Sequence, residues 1–429
     1  MPKDIAIVVY YHKNNIYSFN AIIGALETDN YFDEFKIYFI KTKEELFYGL
    51  EDIIKNHKLV IIGFSFFTTQ LWEIYKLVSV LRKKYNENIL LLAGGPHATG
   101  DPLGVLRLGF DFVVVGEGEE TIIDLLKSIN KKTNYEKVKG IAYINDSNEY
   151  IFTGKRSTIN LDDYPPFPLN DRRFGAIEIT RGCPYVCYFC QTPYLSGTKP
   201  RHRSIESICK YVKLLYNYYG DFTDVRFITP NAFSYGSLDG KMLNLTKLEN
   251  LLKNIREIIG TKSRLFLGSF PSEVRPEHVT NETLNLLLKY ADNDNITIGA
   301  QSGSQKILDL CHRDHTIEHI YNAVELALDN NLNINVDFIF GLPGENNEDV
   351  KYTISMMREL SNKGAKVHAH SFIPLPQTPF AKVPVNKIKD LYKKEIIKLI
   401  SKGFAFGDWR RQEKMAIKIA KYIKTKKLE

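Results

Sequence analysis

Short β-branched apolar runs alternate with amphipathic stretches along most of this chain, and that alternation limits its fold more than any other feature. Runs at 5–10, 35–40, 59–65, 89–93 and 112–115 have the length of buried strands rather than helices. Between the third and fourth, Leu71, Ile74, Leu77, Val78, Leu81 and Tyr85 recur at helical spacing. Five strands alternating with helices predict an α/β fold whose first 130 residues form a doubly wound parallel, Rossmann-like sheet. Ligands on such sheets sit beyond the carboxyl ends of the strands.

The alternation then pauses and resumes. Stretches 141–144 and 150–153 flank the turn-forming Asn145-Asp146-Ser147-Asn148 and predict a hairpin. Pro165-Pro166-Phe167-Pro168 places three prolines in four residues, so residues 131–172 read as a hairpin and semi-rigid connector between domains. Beyond Gly175, strand-like runs at 176–180, 225–228, 264–267, 296–300, 334–340 and 367–372 are separated by helical segments. Six such units predict a partial (β/α)6 TIM-type barrel over residues 173–380, with functional residues just after the strand ends.

Charge separates one further segment. Residues 381–429 hold 15 Lys and Arg against 5 Asp and Glu, whereas the rest of the chain carries 42 against 45. The overall +7 therefore belongs to a basic, helical C-terminal extension.

Five cysteines are too few, and odd in number, for a disulfide scaffold. The Met1-Pro2-Lys3-Asp4 start lacks a signal pattern, and no apolar run approaches the roughly 20 residues of a membrane span. A cytoplasmic protein with cysteines as free thiols or metal ligands is expected. Three of the five cysteines crowd into Cys183-Pro184-Tyr185-Val186-Cys187-Tyr188-Phe189-Cys190, directly after the first barrel strand. Thiolates are soft ligands for iron–sulfur clusters or zinc. A structural zinc site needs a fourth nearby ligand, and the nearest histidine, His202, lies across a long polar loop. Three thiolates on one loop suit a cuboidal cluster with one open iron. Cys209 and Cys311 sit in helix-like apolar stretches and read as core.

Cys183, Cys187 and Cys190, with Phe189 before the last, resemble the C-x3-C-x2-C loop of the radical S-adenosylmethionine (SAM) enzymes. That resemblance implies a 4Fe–4S cluster that chelates SAM and, with one electron from an external ferredoxin- or flavodoxin-type donor, cleaves it to a 5′-deoxyadenosyl radical. It also implies SAM contacts elsewhere in the barrel. Gln301 and Ser302 stand in the ribose-contacting segment, and Arg313 where an arginine pairs with the methionine carboxylate. Ile339, Gly341 and Leu342 lie in the stretch beside the adenine. Two strand ends depart from the common pattern. Thr229-Pro230-Asn231 replaces the glycine-rich grip on the methionine amino group, leaving Asn231 to contact it. Gly268-Ser269 stands where some relatives have a ribose-binding glutamate, leaving the Ser269 hydroxyl.

The first domain resembles the cobalamin-binding domain fused before the barrel in one branch of the same family. The resemblance rests on Ser65 at the third strand end, Gly94-Gly95 and His97 at the fourth, and Gly116-Glu117 after the fifth. Paired glycines at a strand end let a flat ligand approach the backbone. The usual D-x-H-x-x-G after the first strand is missing, and only His12 remains by position, which leaves two readings: cobalamin bound base-off without a lower histidine ligand, or a sheet turned to substrate binding or to structure alone.

Three functions follow. The first is a cobalamin-dependent radical SAM methyltransferase acting on an unactivated carbon of a small or lipid-like substrate. The second is a cobalamin-independent radical rearrangement or cyclisation. The third is an RNA-binding or RNA-modifying protein that uses the basic tail, in which Tyr392, Phe404, Trp409 and Tyr422 interleave with Lys and Arg.

Overall fold

Strand β1 (Ile5–Tyr10) is buried at every position, as expected of a central parallel strand covered on both faces. The computed structural model describes residues 3–428. With β2 (Phe35–Ile40), β3 (Leu59–Ser65), β4 (Ile89–Gly94) and β5 (Phe112–Val114), β1 forms the predicted parallel sheet. Val8, Ile61, Ile62 and Leu91 are shielded almost completely, and burial of each stabilises the fold by roughly 1.5–3 kcal/mol. The helix Leu71–Tyr85 buries Leu71, Ile74, Leu77, Val78, Leu81 and Tyr85, the positions its periodicity singled out.

The hairpin strands β6 (Ile141–Ile144) and β7 (Tyr150–Phe152) extend this sheet antiparallel, giving the order β2-β1-β3-β4-β5-β6-β7. The Pro-rich connector packs onto the helix Ile16–Leu26. A Cβ on Gly24 would stand 2.8 Å from the Pro165 carbonyl and 3.0 Å from that of Phe167, and Phe167 is fully buried. Residues to Gly175 thus make one unit, and Ala176 to Lys427 make a second.

The second unit begins with short strands: β8 (Ile177–Glu178), β9 (Thr180–Arg181), β10 (Arg201–His202), β11 (Asp224–Val225), β12 (Phe227–Ile228) and β13 (Arg264–Leu265). Here β8 pairs with β12 and β11 with β13, both parallel. The long strands β14 (Asn295–Gln301), β15 (Asn333–Phe340) and β16 (Lys366–Ser371) follow in a parallel array. Helices between the strands complete the open barrel.

The basic extension is built into this unit. Besides the helices Asp390–Ser401 and Trp409–Thr425, it supplies β17 (Ala405–Phe406), parallel to β16. Two residues between Gly403 and Gly407 are too short for periodicity to reveal. Tyr392, Trp409 and Tyr422 are buried, so these aromatics serve packing and offer no stacking surface to nucleic-acid bases. Among the described residues, no helix is long and apolar enough to cross a membrane.

Candidate functional site

The cysteine loop leaves β9 through Gly182, whose φ is +93° and where any Cβ would collide with the Lys199 carbonyl. Val186 adopts φ +48°, a left-handed conformation that a β-branched residue holds only under tertiary constraint. Backbone bonds supply that constraint: Cys183 N donates to Gly197 O at 3.1 Å, Tyr188 N to Cys311 O at 3.0 Å and Cys190 N to Cys187 O at 3.0 Å. Burial pushes the Cys190 thiol up to about 11, with Cys187 and Cys183 adding to the rise. Burial likewise pushes the Cys183 thiol up, and thiols that are costly as free anions suit a metal, which holds them deprotonated.

Arg313 connects this loop to the barrel. Its Nη1 lies 3.6 Å from Cys187 Sγ and its Nη2 donates to Gly299 O at 2.8 Å. Buried Nε has no hydrogen-bond partner among the described residues, so this guanidinium keeps donor capacity for a ligand carboxylate. Arg275 buttresses it: Nη2 donates to Arg313 O, Nε donates to Glu277, and its guanidinium lies 3.3 Å over the Tyr185 ring. Burial pushes the Glu277 carboxyl up, but Arg275 outweighs it and holds that carboxyl below its usual range.

At the end of β14 the register shifts between Gly299 and Gln301, and Gln301 takes φ +72°. That bulge leaves the Gln301 amide and the Arg313 guanidinium crowding the face of Gly299, where a Cβ would meet both. Phe189 packs with Ile339 against the cluster of Ile307, Cys311, Leu342, Phe372 and Phe380, so three residues singled out in the sequence share one apolar wall. Gly341 has φ +76°.

Other expected contacts are engaged elsewhere. Asn231 Nδ2 lies 2.6 Å from His278 Nδ1 and its Oδ1 accepts from Arg275 N at 3.2 Å. Both ends of its amide are thus used. The Ser302 hydroxyl lies 3.3 Å from Thr353 Oγ1 and accepts from Ser304 N at 3.2 Å. Ser269 is buried, and its hydroxyl receives Asn293 Nδ2 at 3.4 Å.

Residues not singled out in the sequence line the barrel interior. Glu273 is surrounded by the barrel yet stays open to water, and its Oε2 would stand 3.6 Å from a Cβ on Gly299. The surrounding barrel partly desolvates its carboxyl and, with the Asp337 charge, pushes it up. Asp337, His368 and His370 come together on β15 and β16. The signal available was Val367-His368-Ala369-His370, an alternation that places two histidines on one strand face.

In the first unit, Ser65 ends β3. Its carbonyl accepts from Asn15 Nδ2 at 2.7 Å, while its buried Oγ has no partner among the described residues. Gly95 follows β4 at φ +85°, and a Cβ there would stand 2.6 Å from Ser65 Oγ. At Gly116, φ +89°, a Cβ would meet nothing within 4 Å, and at Gly94 only Val114 at 4.0 Å. An orphaned hydroxyl beside bare backbone fits a broad, flat ligand with polar substituents, as cobalamin is. His97 is fully buried with Nδ1 3.0 Å from Thr68 Oγ1, and Glu117 accepts from Ile159 N at 3.0 Å. These two shape the turns behind the edge.

Comparison with known proteins agrees with this architecture. Residues 177–357 match the family model of the radical SAM superfamily, and residues 17–126 that of the B12 binding domain. The fold resembles the radical S-adenosylmethionine methyltransferase TsrM from Kitasatospora setae with tryptophan and a SAM analogue bound. The TM-score is 0.68 at 16% identity, over 88% of this chain and 75% of that one. It also resembles the cobalamin-dependent SAM radical enzyme OxsB with aqua-cobalamin bound. There the TM-score is 0.63 at 17% identity, over 82% of this chain and about half, 51%, of that one. An uncharacterized methyltransferase of Pyrococcus horikoshii is 25% identical over 326 residues, 73% of this chain and 67% of the relative. A tRNA-2-methylthio-N(6)-dimethylallyladenosine synthase of Petrotoga mobilis is 26% identical over 288 residues, 65% of this chain and 58% of the relative.

The cysteine loop and the barrel define a radical SAM enzyme. More particularly, the chain is a radical SAM enzyme with an N-terminal B12-binding domain, and its cofactors are a 4Fe–4S cluster, SAM and cobalamin.

Proposed function

We propose that this enzyme transfers a methyl group to an unactivated carbon of a small or lipid-like substrate. When bound, the cluster supplies the electron that cleaves SAM, and cobalamin carries the methyl group. The chain's own contribution is to hold and orient. Cys183, Cys187 and Cys190 hold the cluster, and Arg313 takes the methionine carboxylate. Gln301, Ile339 and Gly341 border the nucleoside, and Ser65, Gly94, Gly95 and Gly116 receive the corrin.

The observation that carries this reading is the pairing, in one chain, of the Arg313-backed cysteine loop with a sheet edge that has an orphaned Ser65 hydroxyl beside bare glycine backbone. The methyltransferase names of TsrM and the Pyrococcus relative point the same way.

Methylthiolation, the activity named for the Petrotoga relative, is disfavoured. Beyond the loop the chain has only Cys209 and Cys311, too few for a second three-cysteine cluster. A cobalamin-independent rearrangement leaves the sheet edge without a purpose.

Anaerobic reconstitution followed by mass spectrometry tests the proposal. The expected products are 5′-deoxyadenosine and a substrate heavier by one methyl group, with a corrinoid spectrum on the purified protein. Equal turnover by corrinoid-free protein would overturn it.

A further inference from the structure

Asp337 on β15 and His368 on β16 stand directly opposite each other in the parallel register, and His370 follows two residues along the same face. Their side-chain ligand atoms converge. His368 Nδ1 lies 3.0 Å from Asp337 Oδ1 and 3.1 Å from His370 Nε2, and His370 Nε2 lies 4.0 Å from Asp337 Oδ2. Two imidazole nitrogens and one carboxylate oxygen, all within 4.8 Å of one another, are close enough to share one ion at about 2 Å, the usual length of zinc bonds to imidazole nitrogen and carboxylate oxygen.

A neutral imidazole nitrogen offers either one hydrogen or one in-plane lone pair. With a hydrogen on Nδ1, His368 donates to Asp337, and His370, with its ring proton on Nδ1, turns the lone pair of Nε2 towards the same point. A cation in place of the His368 proton would meet all three donors.

The surroundings hold the donors in place. The His368 ring stacks on Phe406, with centroids 4.4 Å apart and planes 10° apart. Gln412 Oε1 accepts from Ser371 N at 2.8 Å, and its Nε2 lies 3.3 Å from His370 Nδ1. Binding through His370 Nε2 puts the ring proton on Nδ1, and Gln412 Oε1 can accept it once the amide turns and releases Ser371 N. Such outer hydrogen bonds orient metal-bound imidazoles. The Asp337 side chain is 8% exposed, against 28% and 26% for His368 and His370, so the site keeps an open side.

We propose that Asp337, His368 and His370 form a second metal site, separate from the cysteine loop, for a divalent first-row transition ion of the Zn(II) type. Two imidazoles and one carboxylate favour such an ion over Mg(II) or Ca(II). The open side leaves a coordination position for water or an oxygen donor of the substrate.

The test uses full-length protein with its cluster reconstituted, so that the three cysteines are filled. After passage over a chelating resin it is titrated with zinc chloride against a chelating dye, and zinc and iron are counted together by elemental analysis. The expected result is one zinc per chain beyond the cluster iron, bound at least about tenfold more weakly in Asp337→Asn and in His368→Gln. Unchanged iron content and circular dichroism establish that these variants fold. His370→Cys keeps a zinc donor and is expected to retain zinc, whereas His370→Gln loses it. No zinc above background in the wild type, or equal zinc affinity in the wild type and all these variants, overturns the site.

Discussion

Arg313 Nη1 lies 3.6 Å from Cys187 Sγ, so one buried guanidinium touches the cysteine loop while its other arm holds the end of β14 through Gly299. The residue that confronts the SAM carboxylate in the proposed function is thereby positioned by the cluster loop itself. Its carbonyl in turn is held by Arg275.

Replacing Arg313 by lysine keeps the charge but loses the planar fork. Arg313→Lys is expected to bind SAM about 10–100-fold more weakly, since hydrogen bonds to charged groups contribute about 1.5–3 kcal/mol. Iron content should stay at the wild-type value. Equilibrium dialysis of the reconstituted protein measures it, and undiminished SAM affinity would remove Arg313 from the site.

Ser65→Ala separates stability from corrin binding. Its Oγ is buried without a partner, so removing it costs the apo-protein nothing and can stabilise it slightly. Corrinoid affinity, followed by absorbance titration, is expected to fall by about fivefold or more, the equivalent of one hydrogen bond of about 1 kcal/mol. Gly95→Ala places a methyl group 2.6 Å from the same oxygen at φ +85° and should lower both corrinoid uptake and the unfolding midpoint.

Glu345 makes stability depend on pH. Burial pushes its carboxyl up to about 7, and Tyr392 OH donates to its Oε1 at 2.7 Å. The folded state therefore prefers the protonated acid. This contribution is complete below the unfolded value near 4.5 and is lost as pH rises through about 7. The difference amounts to about 3 kcal/mol. Thermal unfolding from pH 5 to 8 should show a falling midpoint in the wild type and a flatter profile in Glu345→Gln.

Gly24→Ala tests whether the connector belongs to the first unit. A methyl group there would crowd the carbonyls of Pro165 and Phe167 at 2.8 and 3.0 Å. A loss of about 1–3 kcal/mol is expected in chemical denaturation. No loss would mean that this stretch peels away from the helix Ile16–Leu26 at little cost.

The longer elements of both units were legible in the sequence because each rests on local periodicity, whereas the two-residue strands β10 and β17 were not. The runs that became β1, β2 and β3 kept their predicted bounds. The helix Leu71–Tyr85 buried the residues that recur at helical spacing, because burial of one face is what that spacing encodes. Cys183, Cys187 and Cys190, the proposed cluster ligands, stand out for a similar reason: three thiols on one short loop need only the chain between them.

Tertiary structure decided what depends on register. Ser302 and Gln301 are neighbours in sequence, yet the shift at Gly299 sends one hydroxyl to Thr353 and leaves the other side chain beside Arg313. The Ser269 hydroxyl accepts from Asn293 Nδ2, while Glu273, four residues later, stands beside Gly299. Asp337 meets His368 only because β15 and β16 pair in parallel at that register. Periodicity assigns a residue to a face, but which residues meet across a barrel is set by non-local strand pairing, and no pattern within a single segment contains it.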